Sequence, residues 1–322
     1  MTRFKIVLPF ASLAALAVLG ASGAQAQFGG IGKVISAAPI RAPDLPDIIN
    51  GPKPISTNIK DAVFGDASRD RNSLTGKPLQ MTSLGRSPQG GFVLAPGYYV
   101  MLAQSYCLHA GTYGPGGGDA YLYAPVKGSA KDAVTSILQN SVAHPEIGQH
   151  DIQLLLWAIV ARAKFENLDM RLKAVAAKLL TKKQLAGLNR SALGVLTSPQ
   201  LASLTGGMPG PLRTIVEAES RMRGLLSTPG SSYAEIERVA VIGGAAPRGA
   251  GSIDVPGTRW SLHPDGYWVR YKPNSYTNTS VEVWVAPGSK AVGKVYDPGT
   301  AIAVPVNTSR QRLAQSGRGY IR

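Results

Sequence analysis

The sequence predicts an α+β fold: a central helical module entered through short strands, a small C-terminal β module, and an N-terminal arm without regular structure. Three observations carry this. Residues 152–160 are apolar around nearly the whole circumference of a helix, the mark of a buried central helix. Amphipathic segments follow one another from 129 to 242, broken by glycine and proline. From Gly249 the period drops to two. Tyr267, Val269 and Tyr271 alternate with Trp268, Arg270 and Lys272, and Val281, Val283 and Val285 with Glu282 and Trp284.

In chain order, residues 1–26 read as a secretory signal. Arg3 and Lys5 precede an apolar run from Ile6 to about Leu19, and Ala24-Gln25-Ala26 offers small residues for cleavage before Gln27. No cysteine follows the run, which excludes lipoprotein processing. Residues 27–90 carry Pro39, Pro43, Pro46, Pro52 and Pro54 without period and read as a linker or arm. Residues 91–248 form the helical module. Its strands lie at Phe92–Leu94 and Tyr98–Leu102 around Pro96-Gly97, with a short apolar piece at Tyr121–Tyr123. Ser129 is the expected N-cap of a helix to about Ser141, and Asp151 that of the buried helix. Further helices are expected at 166–180, 181–195, 210–227 and 231–242. The β module spans 249–306, and 307–322 reads as a loose basic tail.

The chain has 322 residues, 37 of them glycine and 23 proline, and a net charge of +15. The basic residues are dispersed, with no stripe interleaved with stacking aromatics, so no specific nucleic-acid partner is expected. Beyond the signal no segment is long and apolar enough to span a bilayer. The charge suits an acidic polysaccharide or another anionic surface. One cysteine excludes an internal disulfide and a Cys-based zinc site; with four scattered histidines no metal and no cofactor are expected. The signal type places the chain in the periplasm or on the outer surface of a Gram-negative bacterium.

The lone Cys107 is the most informative residue, and several readings of it stay open. It fits a buried small apolar side chain, or an intermolecular disulfide. It also fits the nucleophile of a Cys-His hydrolase, although residues 108–118 are too rich in glycine and proline to place it at a helix N-terminus.

A fourth reading joins two segments, Ser105-Tyr106-Cys107-Leu108-His109-Ala110-Gly111 and Asp151-Ile152-Gln153-Leu154-Leu155-Leu156-Trp157-Ala158-Ile159. Over about residues 92–165 the chain resembles the bacterial thioester domains of surface adhesins. Those carry a Tyr-Cys-apolar motif and then a Thr-Gln-x-Ala-Ile-Trp-like motif on a buried helix. The resemblance implies an internal thioester with Cys107 as thiol and Gln153 as acyl donor. Tyr106 and Trp157 would shield it, and His109, His144 or His150 would serve as base. The chain departs from the pattern at Ile152, in place of threonine, and at Leu155-Leu156, in place of Ala-Ile. The interval from Cys107 to Gln153 is also short for the family.

The C-terminal aromatics are a second candidate site. Trp260, Tyr267, Trp268, Tyr271 and Trp284 are each either core or platforms for sugar rings. The expected function is therefore a non-enzymatic surface or envelope binding protein, adhesin-like, that attaches to amines of surface proteins through Cys107 and Gln153. The alternative is an envelope or matrix structural protein that binds acidic polysaccharide.

Overall fold

A computed structural model describes residues 52–56, 58–65, 77–116, 119–248, 252–306 and 308–320. The expected signal peptide and the first half of the arm lie outside the described residues. Within them the chain forms a six-stranded antiparallel barrel and seven α-helices. Mixed α+β composition is as expected; the division into modules is not.

The barrel takes strands from both ends of the described chain. Its staves are β3 (Gly97–Cys107), β5 (Tyr121–Pro125), β8 (Trp268–Pro273), β9 (Asn278–Val285), β11 (Ala301–Pro305) and β12 (Leu313–Gly319). Going round, β3 pairs β12, β12 pairs β11, β11 pairs β5, β5 pairs β8, β8 pairs β9, and β9 closes on β3. Short pieces β1 (Leu79–Gln80) and β7 (Ser261–Leu262) pair beside β3 and β8, while β2 (Phe92–Val93) and β10 (Val295–Tyr296) pair with each other outside the barrel. Closure removes exposed sheet edges. Alternation sends Tyr99, Met101, Ala103, Ser105 and Cys107 of β3 to the buried side.

This corrects the expected separate C-terminal β module and loose tail. The C-terminal strands complete a sheet that β3 and β5 begin, and residues 313–317 are buried in it. The arm is corrected in part too. Ser56 bridges Lys127, Val63 bridges Tyr123, and β1 lies parallel to β3, so its described portions are laid along the barrel.

The helices are inserted between β5 and β8: α1 (Lys131–Asn140), α2 (Gln149–Val160), α3 (Met170–Leu179), α4 (Lys182–Arg190), α5 (Ser198–Thr205), α6 (Gly210–Leu226) and α7 (Tyr233–Ala240). Residues Ile152 to Val160 of α2 are all buried, as the apolar run predicts, and α2 packs against β3, α3 and α6. Two caps differ from expectation. Ala130, not Ser129, precedes α1, and α2 begins at Gln149 after Gly148. Asp151 sits in the first turn, where it pairs with Arg171 and favours the positive helix end. Ser198-Pro199, which reads in the sequence as a break between amphipathic segments, opens α5, because proline is well suited to a first turn.

One buried charge cluster marks the barrel wall. Glu282 is 5% exposed and accepts bonds from Arg270 Nε at 2.8 Å, Lys272 Nζ at 2.8 Å and Tyr98 Oη at 2.8 Å. Burial works to raise its carboxyl, and these donors outweigh it, so it titrates below an ordinary glutamate. A depressed carboxyl stabilises the fold above its unfolded value and loses that contribution as pH falls through the folded one. Glu282→Gln should therefore cost about 3 kcal/mol at pH 7, by stranding Arg270. The gap to the parent should narrow below about pH 4. Urea titrations at pH 7 and pH 3 measure it; a gap independent of pH would contradict it.

Candidate functional site

The site forms where β3 runs out of partner. Strand β9 leaves β3 near Ser105, whose N–H donates to Thr277 O at 2.9 Å. Two residues further, side chains of α2 replace the missing strand. Gln149 Nε2 donates to Ser105 O at 3.1 Å and to Thr277 O at 2.6 Å. One turn along, the Gln153 carboxamide closes a two-point contact with Cys107: Cys107 N–H donates to Gln153 Oε1 at 2.8 Å, and Gln153 Nε2 donates to Cys107 O at 3.0 Å. The i, i+4 spacing of Gln149 and Gln153 aligns both with the strand. Cys107 is 0% exposed and Gln153 2%. A buried N–H and a buried C=O would otherwise be unsatisfied.

The loop after Cys107 fixes α7 beside this contact. Gly111 has φ of +64°, and a Cβ there would meet Thr214 O at 2.9 Å, so only glycine allows α6 this close. Its N–H donates to Val239 O at 3.2 Å, and β4 (Thr112–Tyr113) runs parallel to β6 (Val241–Ile242) at the end of α7. Buried Gln311 ties the same parts together. Its Nε2 donates to Ala240 O at 3.0 Å and to His109 O at 3.3 Å, while its Oε1 accepts from His109 N–H at 3.3 Å.

From α7, Tyr233 reaches back over α2. Its ring stacks on His150 with centroids 3.9 Å apart and on Trp157 at 5.7 Å. His150, Gln153 and Trp157 share one face of α2, so Tyr233 lies across the turn that carries Gln153. The Tyr233 hydroxyl is 3.4 Å from that of Tyr276, which donates to Glu237 one turn along α7. Tyr233, Glu237 and Tyr276 are half-buried and His150 is exposed, so this group stands between the buried pair and solvent. Burial pushes the Cys107 thiol well above its ordinary value, and the Glu237 charge adds to this. Burial likewise raises Tyr233, with Glu237 and Cys107 contributing.

The structure thus brings together Cys107, Gln153, Trp157 and His150. Tyr106 falls elsewhere: neighbouring residues of a strand face opposite ways, and its hydroxyl donates to Gln104 Oε1 at 2.9 Å. Of the histidines, His144 pairs with Glu146 at 3.1 Å on the surface after α1. His109 lines a cavity of about 410 Å³ with Lys53, Glu219 and Arg312, and is pulled down to about 3 by burial, then by Arg312 and Lys53. It therefore stays neutral at physiological pH.

The sugar-platform expectation is corrected for four of its five rings. Trp260, Tyr267, Trp268 and Tyr271 are buried, and Trp284 is half-buried. Trp260 packs edge-on to Tyr98 at 5.9 Å under the Arg270 guanidinium, Tyr267 stacks on His263 at 4.3 Å, and Trp268 faces Trp284 across β8 and β9. Their contacts are with other side chains of the barrel wall, so these four rings pack the barrel.

Sequence reasoning missed Tyr233, Glu237, Gln149 and Gln311; Tyr276 stands out in the sequence only as one of the C-terminal aromatics, not as part of this site. The i, i+4 pair Tyr233 and Glu237 on a short helix was the only local signal. Among the described residues, no helix is long and apolar enough to cross a membrane, and no group of His, Cys, Asp and Glu is arranged to hold a metal ion. No family model matches the sequence, and neither a curated protein nor a solved structure matches it.

Proposed function

We propose that this chain is an exported surface or envelope protein that attaches covalently to amines through an internal thioester between Cys107 and Gln153. The observation that carries the reading is the two-point contact of the Gln153 carboxamide with Cys107 in a dry setting. In forming the bond, Cys107 Sγ joins Gln153 Cδ, the Cδ–Nε2 bond breaks, and the amide nitrogen leaves as ammonia with the thiol proton. An incoming primary amine then attacks Cδ. A new amide forms, and sulfur leaves to be reprotonated. Sulfur overlaps weakly with the carbonyl, which keeps the acyl group open to amines, and exclusion of water by Trp157 and Tyr233 slows hydrolysis.

Intact mass tests this. The purified wild-type chain should be lighter by one ammonia than expected, relative to Cys107→Ala. The variant is the reference because an N-terminal glutamine also sheds ammonia when it cyclises. Methylamine should add to the wild type at Gln153 alone and free one thiol. A wild type whose mass agrees with the Cys107→Ala baseline, with Cys107 alkylated in full on unfolding, overturns the reading.

A second reading has its own support. Gln311 makes the same two-point contact with His109, where no cysteine takes part. A glutamine amide can thus serve this fold as a backbone clamp alone. On that reading the chain is an envelope structural protein that meets acidic polysaccharide through its basic surface, and the same mass measurement separates the two.

A further inference from the structure

Bond formation between a thiol and an amide needs a proton carrier, and the buried thiol of Cys107 holds its proton at neutral pH. A thiol is a far weaker nucleophile than a thiolate. The histidines do not meet the need. His144 is committed to Glu146 on the surface, His109 lines the cavity beside Lys53, Glu219 and Arg312, and His150 is exposed with its ring stacked on Tyr233.

Helix α7 supplies the alternative. Tyr233 and Glu237 are one turn apart and share a face. The Tyr233 ring spans His150 and Trp157, which bracket Gln153 on α2. Glu237 follows in the next turn, half-buried, with Tyr276 donating to its carboxylate from the loop that precedes β9. That loop also supplies Thr277 O, the acceptor of both Ser105 N–H and Gln149 Nε2. Tyr276 and Thr277 are chain neighbours, as Gln149 and Gln153 are helix neighbours, so the same loop anchors the carboxylate and the strand end beside the helix that carries the carboxamide.

We infer that Glu237 is the general base of the Cys107–Gln153 chemistry and that it selects primary alkylammonium ions of the lysine type as attacking partners; this rests on the thioester reading above. In bond formation Glu237 takes the Cys107 proton, sulfur attacks Gln153 Cδ, and the protonated carboxyl returns the proton to the departing nitrogen, which leaves as ammonia. In attachment the carboxylate draws in the ammonium group and takes one of its protons, and the neutral amine attacks Cδ. The attacking nitrogen then gives up a second proton, which the departing Cys107 sulfur takes as the Cδ–Sγ bond breaks, and the carboxyl releases the first to solvent.

The test uses the full mature chain as wild type, Glu237→Gln and Glu237→Asp, with methylamine and an uncharged-face control, hydroxylamine, as probes. In Glu237→Gln the rate of bond formation during refolding, read by intact mass against Cys107→Ala, should fall by about a hundredfold, and methylamine uptake likewise. Hydroxylamine, neutral at pH 7, should lose less than methylamine. Glu237→Asp should recover part of both rates, while thermal midpoints stay together; a packing role would not give that rescue. Wild-type rates in a folded Glu237→Gln chain would overturn the inference and leave the thioester reading intact. A wild type at the Cys107→Ala baseline would remove that reading, and the inference with it.

Discussion

Gln153→Ala should be less stable than Cys107→Ala by roughly 2–6 kcal/mol and should abolish the proposed amine uptake, because it strands two buried backbone groups of residue 107 that the intact carboxamide of Cys107→Ala still meets, at about 1–3 kcal/mol each. Those groups lie beyond the reach of β9, and among the described residues Gln153 is the side chain that meets them. Cys107→Ala should behave quite differently. It removes the thiol and the chemistry with it, yet its own N–H and C=O still meet Gln153, so its cost should be about 1 kcal/mol. The two variants thus share a functional defect and differ in stability. Urea unfolding of both, beside mass analysis, checks this. Equal destabilisation would mean that the carboxamide clamp contributes little, and the account of why Gln153 is buried would fail.

Trp157→Ala should cost about 3–5 kcal/mol, the usual range for removing a large buried aromatic. Trp157 is 0% exposed, on the most deeply buried helix, and it supports one side of Tyr233. Its indole N–H has no hydrogen-bond partner among the described residues. Trp157→Phe should therefore cost markedly less than alanine, since it keeps most of the apolar volume and deletes an unsatisfied donor. Both changes admit water to the acyl group, so the mass deficit should decay faster than in the wild type, fastest in Trp157→Ala. Denaturant midpoints and mass followed over time read the two effects. A Trp157→Phe chain as unstable as Trp157→Ala would show that the indole N–H has a partner after all.

The parts of this molecule that were legible in its sequence are those with local period. The run from Ile152 to Val160 announces a helix apolar on all sides, and the structure buries each of those residues. Cys107 and Gln153 stood out as residue types, and the structure sets the Gln153 carboxamide on the Cys107 backbone. The barrel was not legible, for a physical reason. Its closing strand β12 reads Leu-Ala-Gln-Ser-Gly-Arg-Gly, and its burial comes from small residues fitting under a neighbour rather than from alternating bulky ones. Pairing partners carry no local mark either: Ser105 Oγ donates to Thr279 Oγ1 at 2.7 Å across 174 positions of chain. Tyr233 and Glu237 suffered the same limit. An amphipathic turn shows which side is inward and does not show what lies there.

The wide sequence separation between neighbouring staves sets a timetable for maturation. Loops of such length are closed against a large entropy, and sheets built from remote pairings are slow to complete. Helices α2 and α3, and α5 to α7, are stitched by neighbours in sequence and can assemble early, whereas β3 must wait for β9 and β12. Until it does, the sulfur of residue 107 has no fixed opposite number and is open to any oxidant or disulfide in the compartment it enters. Maturation is then a race between barrel closure and capture of that one thiol.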